Sequence, residues 1–154
     1  MKEKCIIVDI DGTLSNADHR KYLVEKAPKD WDKFYEKMVE DMPNEWCTSI
    51  LSWLNAAKAT FTTVTPVVII MTGRPDNYRE ATINWLKKYH IKYEMLMMRE
   101  ETDNREDFEV KLEQYRQFVK PKYDVLFVLE DRQQVVDAWR AEGLTCLQCA
   151  PGKF

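Results

Sequence analysis

Cys5-Ile6-Ile7-Val8-Asp9-Ile10-Asp11-Gly12-Thr13-Leu14 is the stretch that decides the fold. Its apolar run reads as a buried strand, and two carboxylates follow where that strand should end. Residues two apart on an extended chain point the same way. Gly12 then lets the backbone turn sharply. At roughly 5 Å and an effective dielectric near 20, the repulsion between such carboxylates is about 3 kcal/mol. A hard divalent cation with oxygen ligands is the natural offset. A lone Asp-x-Asp before glycine is also an ordinary solvated turn. The choice rests on whether other strands deliver matching chemistry to the same edge.

They do. Val67-Val68-Ile69-Ile70-Met71 reads as a second buried strand, followed by Thr72-Gly73-Arg74-Pro75. A third, Tyr93 to Met97, leads through Met98 to Arg99 and a charged loop reaching Asp107. A fourth, Val125 to Leu129, ends in Glu130-Asp131-Arg132, and Thr145 to Gln148 is a short fifth. Helices are expected between them: Glu45 to about Ala59, Asp76 to Tyr89, Asp107 to Val119, and Gln133 to Glu142 stopped by Gly143. Alternating strands and helices predict an α/β fold, a parallel sheet covered on both faces. Ligands in such folds sit at the carboxyl ends of the strands. Four strand ends here carry acidic, hydroxyl or guanidinium groups.

The segment from 16 to 44 is long for a connection and is expected to form a small helical lid or cap. Asp30 is a candidate helix cap, and Trp31, Phe34, Tyr35 and Met38 recur at helical spacing, an aromatic stripe expected to pack against the domain. Trp46, Ile50, Trp53 and Leu54 are expected on the packed side of the next helix. Tyr78 is placed where substrate passes, but packing or exposure is the simpler expectation, and Trp139 reads as core.

The chain has 154 residues, 45% hydrophobic and 32% charged, which suits one globular domain over 1–154. A net charge of -3 argues against a broadly basic nucleic-acid-coating surface, though not against a local basic site. No apolar run has the length of a membrane span, and Met1-Lys2-Glu3-Lys4-Cys5 lacks a signal-peptide core, so a cytoplasmic protein is expected. Four cysteines do not form a disulfide framework; Cys5 and Cys146 read as small core residues, and Cys146-Leu-Gln-Cys149 lacks a second pair to complete a zinc site.

Carboxylates, a divalent metal, a hydroxyl, a lysine and arginines suit a phosphoryl group, which a carboxylate can attack while cations stabilise charge on the transferring oxygens. No G-x-x-x-x-G-K-[ST] occurs, and His19 and His90 offer little to a Ser-His-Asp hydrolase.

These motifs resemble those of the haloacid dehalogenase (HAD) phosphatase superfamily: Asp9-Ile10-Asp11-Gly12-Thr13, Thr72-Gly73-Arg74 and Glu130-Asp131-Arg132. The resemblance extends to one branch, the 3'-phosphatase domain of phage polynucleotide kinase/phosphatase, through Arg20, the loop Arg99 to Asp107, Lys111, and Asp131 to Arg140. It is weakest from about 21 to 65. It implies a three-layer Rossmann-like fold with five parallel strands in the order 3-2-1-4-5. It implies Asp9 as nucleophile, Asp11 as general acid and base, and Thr72 and Lys111 as catalytic partners. Mg2+ would be held by Asp9, the Asp11 carbonyl and Asp131. Arg20, Gly73, Arg74, Arg99 and Arg105 would bind substrate or order the site, supported by Asp103, Asp107 and Glu130. Glu130 stands where the family usually has Asp, which leaves its reach toward the metal open. The family's kinase half is not in this sequence, so the resemblance implies a free-standing phosphatase or an isolated domain, with a phage-encoded protein acting in a host cytoplasm as one expectation.

The expected partners are 3'-phosphorylated DNA or RNA ends. Mononucleotides or other small phosphomonoesters are the first alternative. A phospho-acceptor signalling domain is the second, disfavoured because Arg99, not an aspartate, follows the third strand.

Overall fold

The computed structural model describes residues 1–60 and 65–152. Five strands form one parallel sheet: β1 (Glu3–Val8), β4 (Val67–Pro75), β5 (Met95–Arg99), β6 (Tyr123–Arg132) and β7 (Cys146–Gly152). Their spatial order is β5-β4-β1-β6-β7, the expected 3-2-1-4-5 with the most hydrophobic strands in the middle. The short strands β2 (Ser15–Asn16) and β3 (Met42–Pro43) pair antiparallel and clip the two ends of the 16–44 insert together.

Alternation along β1 builds two cores. Cys5 and Ile7 point to one face, where Val128, Val136 and Trp139 lie under α5 (Asp107–Gln114) and α6 (Gln133–Ala141). Ile6 and Val8 point to the other, against Leu51 of α3 (Glu45–Thr60) and Trp85 and Leu86 of α4 (Arg79–Lys88). Three layers result, with every residue of this strand's second half buried, as parallel packing requires. Trp139 is core as expected, edge-on to Tyr115 at 5.7 Å. Inside the insert, α1 (Asp18–Glu25) and α2 (Trp31–Glu36) enclose a small third core of Ala17, Val24 and Phe34. Asp30 caps α2, its side chain accepting a hydrogen bond from the Lys33 amide at 3.1 Å.

Three local expectations are corrected. The third strand starts later and runs on to Arg99, because its pairing with β4 begins at Ile69 and Met95 and extends to Pro75 and Arg99. The helix after the charged loop passes into a π turn over Tyr115–Val119, which rotates Phe118 out to solvent while Tyr115 and Val119 stay buried. On α3 the packed face is Cys47 and Leu51 with Leu54 as expected, but Trp46 and Trp53 are exposed. The two faces have the same helical period, so hydrophobicity alone favoured the wrong one. Leu51→Ala is therefore expected to cost about 2–5 kcal/mol by leaving a cavity. Trp53→Ala is expected to cost no more than about 0.5 kcal/mol. Urea unfolding of the two variants checks which face is buried.

Candidate active site at the carboxyl rim of the sheet

The chain leaves β1 through a tight turn. The Thr13 and Ser15 amides both donate to the Ile10 carbonyl, and the Gly12 amide donates to Ser15. Gly12 sits at φ 87° and a Cβ there would collide with the Asp131 carboxylate, so glycine is required both by the backbone and by the close approach. The turn brings Asp9, at the end of β1, beside Glu130 and Asp131, at the end of β6.

Lys111 reaches this point from α5. A reciprocal capping box of Glu106 and Glu109 starts that helix, which sets Asp107 in its first turn and Lys111 one turn on. The Lys111 ammonium lies 2.8 Å from Asp9, 2.8 Å from Glu130 and 3.2 Å from Asp107. Burial disfavours its charge, but Asp107, Asp9 and Glu130 outweigh that and hold it protonated. Glu130 is fully committed: one oxygen takes Lys111 and the other accepts from the backbone amides of Asp131 and Arg132. The Asp131 Oδ2 atom, by contrast, is buried with no hydrogen-bond partner.

Charge bookkeeping makes the same point. One carboxylate oxygen from each of Asp9, Glu130 and Asp131 can be chosen within 4.8 Å of the others. With Asp107 also answered by Arg99 and Arg132, these three carboxylates when ionised leave two negative charges over against the Lys111 ammonium. Burial, then the neighbouring carboxylates, push Asp9 well above the usual range; burial chiefly carries Glu130 and Asp131 up to about 7. An all-oxygen donor set, a surplus of two negative charges and an orphaned oxygen suit a hard divalent cation.

Asp11 has the opposite surroundings. Arg20 donates to it at 2.5 Å, and Arg74 grips it with Nη2 at 2.6 Å and Nε at 3.0 Å. Burial would raise its pKa, but Arg74 and Arg20 overcome this and hold it well below the carboxylate range. Both guanidiniums are themselves fully buried, and a further acid, Asp41, makes that tolerable. Asp41 receives Arg20 Nε at 2.8 Å, the Ser15 hydroxyl at 2.8 Å and Arg74 Nη2 at 3.5 Å, with His19 Nε2 at 2.8 Å. Two arginines and two aspartates thus balance. Arg20 also lies 4.1 Å over the Phe34 ring and donates to the Phe34 carbonyl at 3.0 Å, tying this network to the insert.

Of the sequence-predicted residues, Asp9, Asp11, Arg20, Thr72, Arg74, Asp107, Lys111, Glu130 and Asp131 share this rim and are all buried apart from Asp11, whose side chain is 14% exposed. Thr72 is 1% exposed and its hydroxyl accepts from the Arg74 amide at 3.3 Å. Gly73 lies so close to Asp107 that a Cβ would displace that carboxylate. Arg99 is half-buried and orders the charged loop, donating to the Gly73, Asp103 and Arg105 carbonyls and to Asp107. Arg105 stands apart: it is half exposed and paired with Asp103 and Glu113. Asp41 was missed because, between Glu40 and Met42, it looks like one more solvated acid; nothing in the spacing marks it.

Removing Asp41 leaves two buried guanidiniums sharing the Asp11 carboxylate. Asp41→Ala is therefore expected to destabilise the protein by about 3–5 kcal/mol, the usual cost of breaking a buried pair. Asp103→Ala, which breaks a pair with the exposed Arg105, should leave the denaturation midpoint near that of the parent protein.

Comparison with known proteins bears on this rim. Residues 3–154 match the family described as the polynucleotide kinase PNKP phosphatase domain. Two solved structures of the Pnkp1/Rnl/Hen1 complex, in one case described as an RNA repair complex, contain similar chains. One is 34% identical with a TM-score of 0.80, the other 36% identical with a TM-score of 0.77. Each similarity covers 99% of this chain but only 44% and 47% of those chains. A protein of Autographa californica nuclear polyhedrosis virus, named as a bifunctional polynucleotide kinase/RNA ligase, is 26% identical over 89% of this chain and 18% of its own length. The chain thus spans less than half the length of these relatives. A hydrolase from Streptococcus pneumoniae, 15% identical with a TM-score of 0.59 over 97% of this chain and 94% of its own, shares the fold. With nearly every residue matched, the chain belongs to the polynucleotide kinase PNKP phosphatase domain family, and it is a phosphatase of the HAD fold.

Proposed function

We propose that this domain is a Mg2+-dependent 3'-phosphatase of DNA or RNA ends that works through an aspartyl phosphate on Asp9. The observation that carries the reading is the pairing of Asp9 with Lys111 beside the orphaned Asp131 oxygen, with the clamped Asp11 two residues away. The relatives' names supply the nucleic-acid end as substrate class. Asp9 and Asp131 side chains, with the Asp11 carbonyl, would hold the cation, which when bound supplies charge stabilisation to the phosphoryl oxygens. Glu130 serves by fixing Lys111, because both its oxygens are already engaged.

In the first step an Asp9 carboxylate oxygen bonds to phosphorus and the bond from phosphorus to the 3' oxygen breaks. Asp11 gives its proton to that leaving oxygen. In the second step water attacks the phosphorus, Asp11 takes the water's proton, and Asp9 leaves as a free carboxylate with release of inorganic phosphate. Lys111 neutralises charge building on Asp9 and the phosphoryl oxygens, and Thr72 donates its hydroxyl to one of them. In the resting protein two guanidiniums hold Asp11 ionised. A dianionic phosphate beside it raises its proton affinity by like-charge repulsion, so that Asp11 takes up a proton from solvent as substrate binds and this is the proton it gives to the leaving oxygen.

Two outcomes are expected. Single-stranded oligonucleotides ending in 3'-phosphate should be hydrolysed with Mg2+ and not with excess chelator, and Asp9→Asn should abolish turnover with the fold intact. Activity confined to nucleoside monophosphates would replace this substrate class with the small-molecule one. The second outcome concerns pH. Glu130 and Asp131 titrate near 7 in the folded, metal-free chain and near 4 when unfolded, so the folded state keeps their protons longer. Their contribution to stability is present below about pH 4 and is lost as pH rises through about 7. Mg2+ competes with those protons, so its thermal stabilisation should be larger at pH 8 than at pH 5.5, as calorimetry at both pH values would read.

A further inference from the structure

Beside the rim lies a cleft of about 500 Å³ whose two walls differ in chemistry. One wall is aromatic. Trp31 and Tyr35, one turn apart on α2, stack at 6.0 Å with 24° between their planes, and Tyr78 continues the row 5.5 Å beyond Tyr35. The rest of the lining is mixed in charge: Arg99, Arg105 and Arg132 stand among Asp32, Glu101, Asp103, Glu106 and Asp107, and Asp103 and Asp107 are paired with those arginines. The two walls meet at one atom: the Gly73 carbonyl accepts from Tyr35 Oη at 3.3 Å and from Arg99 Nε at 3.2 Å. Gly73 follows Thr72 directly and Asp107 also lines the cleft, so it adjoins the rim.

The aromatic row packs on one side, where Trp31 and Tyr35 lie against the small third core, and lines the cleft on the other. Phe34 and Met38, on the same stripe, are buried in full. Trp31, Tyr35 and Tyr78 stay partly exposed and face the cleft. Aromatic rings and guanidiniums lining one cleft can together take single-stranded nucleic acid: rings stack bases, and cations take the phosphodiesters. Arg105 suits the second task. Its exposed pairs with Asp103 and Glu113 are cheap to exchange for a phosphate, whereas the buried arginines are locked to Asp11 and Asp41.

We propose that Trp31 and Tyr78 form a stacking platform for the terminal base of a single-stranded end, with Arg105 on the phosphodiester before it, so that the 16–44 insert sets substrate specificity. This rests on the 3'-phosphatase reading above. It assigns the aromatic residues of the insert and of the turn after β4 to polymer recognition, and not to closure of the core alone.

The test compares two single-stranded oligonucleotides, both ending in 3'-phosphate, one with a normal terminal base and one abasic at that nucleotide. The parent protein should show a KM for the abasic end about ten-fold higher, the order expected of one stacked base. Tyr78→Ala and Trp31→Ala should bring the ratio near one, and Tyr78→Phe and Trp31→Phe should restore it. Because the ratio is taken within each variant, a loss of folded protein cancels. An unchanged ratio in both alanine variants, or equal KM values in a parent protein that hydrolyses both ends, would overturn the platform and leave the phosphatase reading standing. A parent protein that hydrolyses neither end rejects the 3'-phosphatase reading and the platform with it.

Discussion

A lysine ammonium buried between Asp9, Asp107 and Glu130 is the interaction on which the rim depends. It joins the ends of β1 and β6 to the start of α5, elements far apart in the chain. Buried charges are tolerated only when compensated and hydrogen-bonded, so each group at the rim constrains its neighbours. Asp107 is shared with Arg99, Glu130 spends both oxygens, and Asp131 is left with one oxygen unused. The resulting excess of negative charge suits a hard divalent cation.

A second network lies alongside and is complete. Asp11 and Asp41 take the guanidiniums of Arg20 and Arg74, and the closure of this square depends on the insert, which contributes both Arg20 and Asp41. The β2–β3 pair fixes the ends of the insert, and the Trp85 indole donates to the Asp41 carbonyl at 2.8 Å. The segment that looks like an accessory lid is therefore part of what orders Asp11. The same segment carries the aromatic wall of the cleft, so stability of the rim and shape of its entrance are joined in one element.

The strands and their order were legible because parallel, doubly covered strands leave continuous apolar runs, and their polar endings stand out against them. Asp9, Asp131 and Thr72 were legible for that reason. Lys111 was harder, since a lysine on a helix is ordinarily solvated, and only its resemblance to a family position singled it out. Asp41 was invisible, because its partners come from other parts of the chain and its own neighbours are polar. The packed face of α3 was misread because two large aromatic side chains seven apart suggest burial, while Cys47 and Leu51 are the residues that reach the core. The aromatic stripe of α2 packs as expected, Phe34 and Met38 in full and Trp31 and Tyr35 against the small third core, but Trp31 and Tyr35 also line the cleft, which helical spacing does not reveal.

The central claim is that Asp9 itself becomes covalently linked to the phosphoryl group. Rapid acid quenching after mixing with a 3'-radiophosphorylated oligonucleotide and Mg2+, followed by peptide mapping, reads this directly. The account predicts label on the peptide that contains Asp9, lost on treatment with hydroxylamine as an acyl phosphate is. Steady release of phosphate with no label on the protein, or label on another residue, would contradict it.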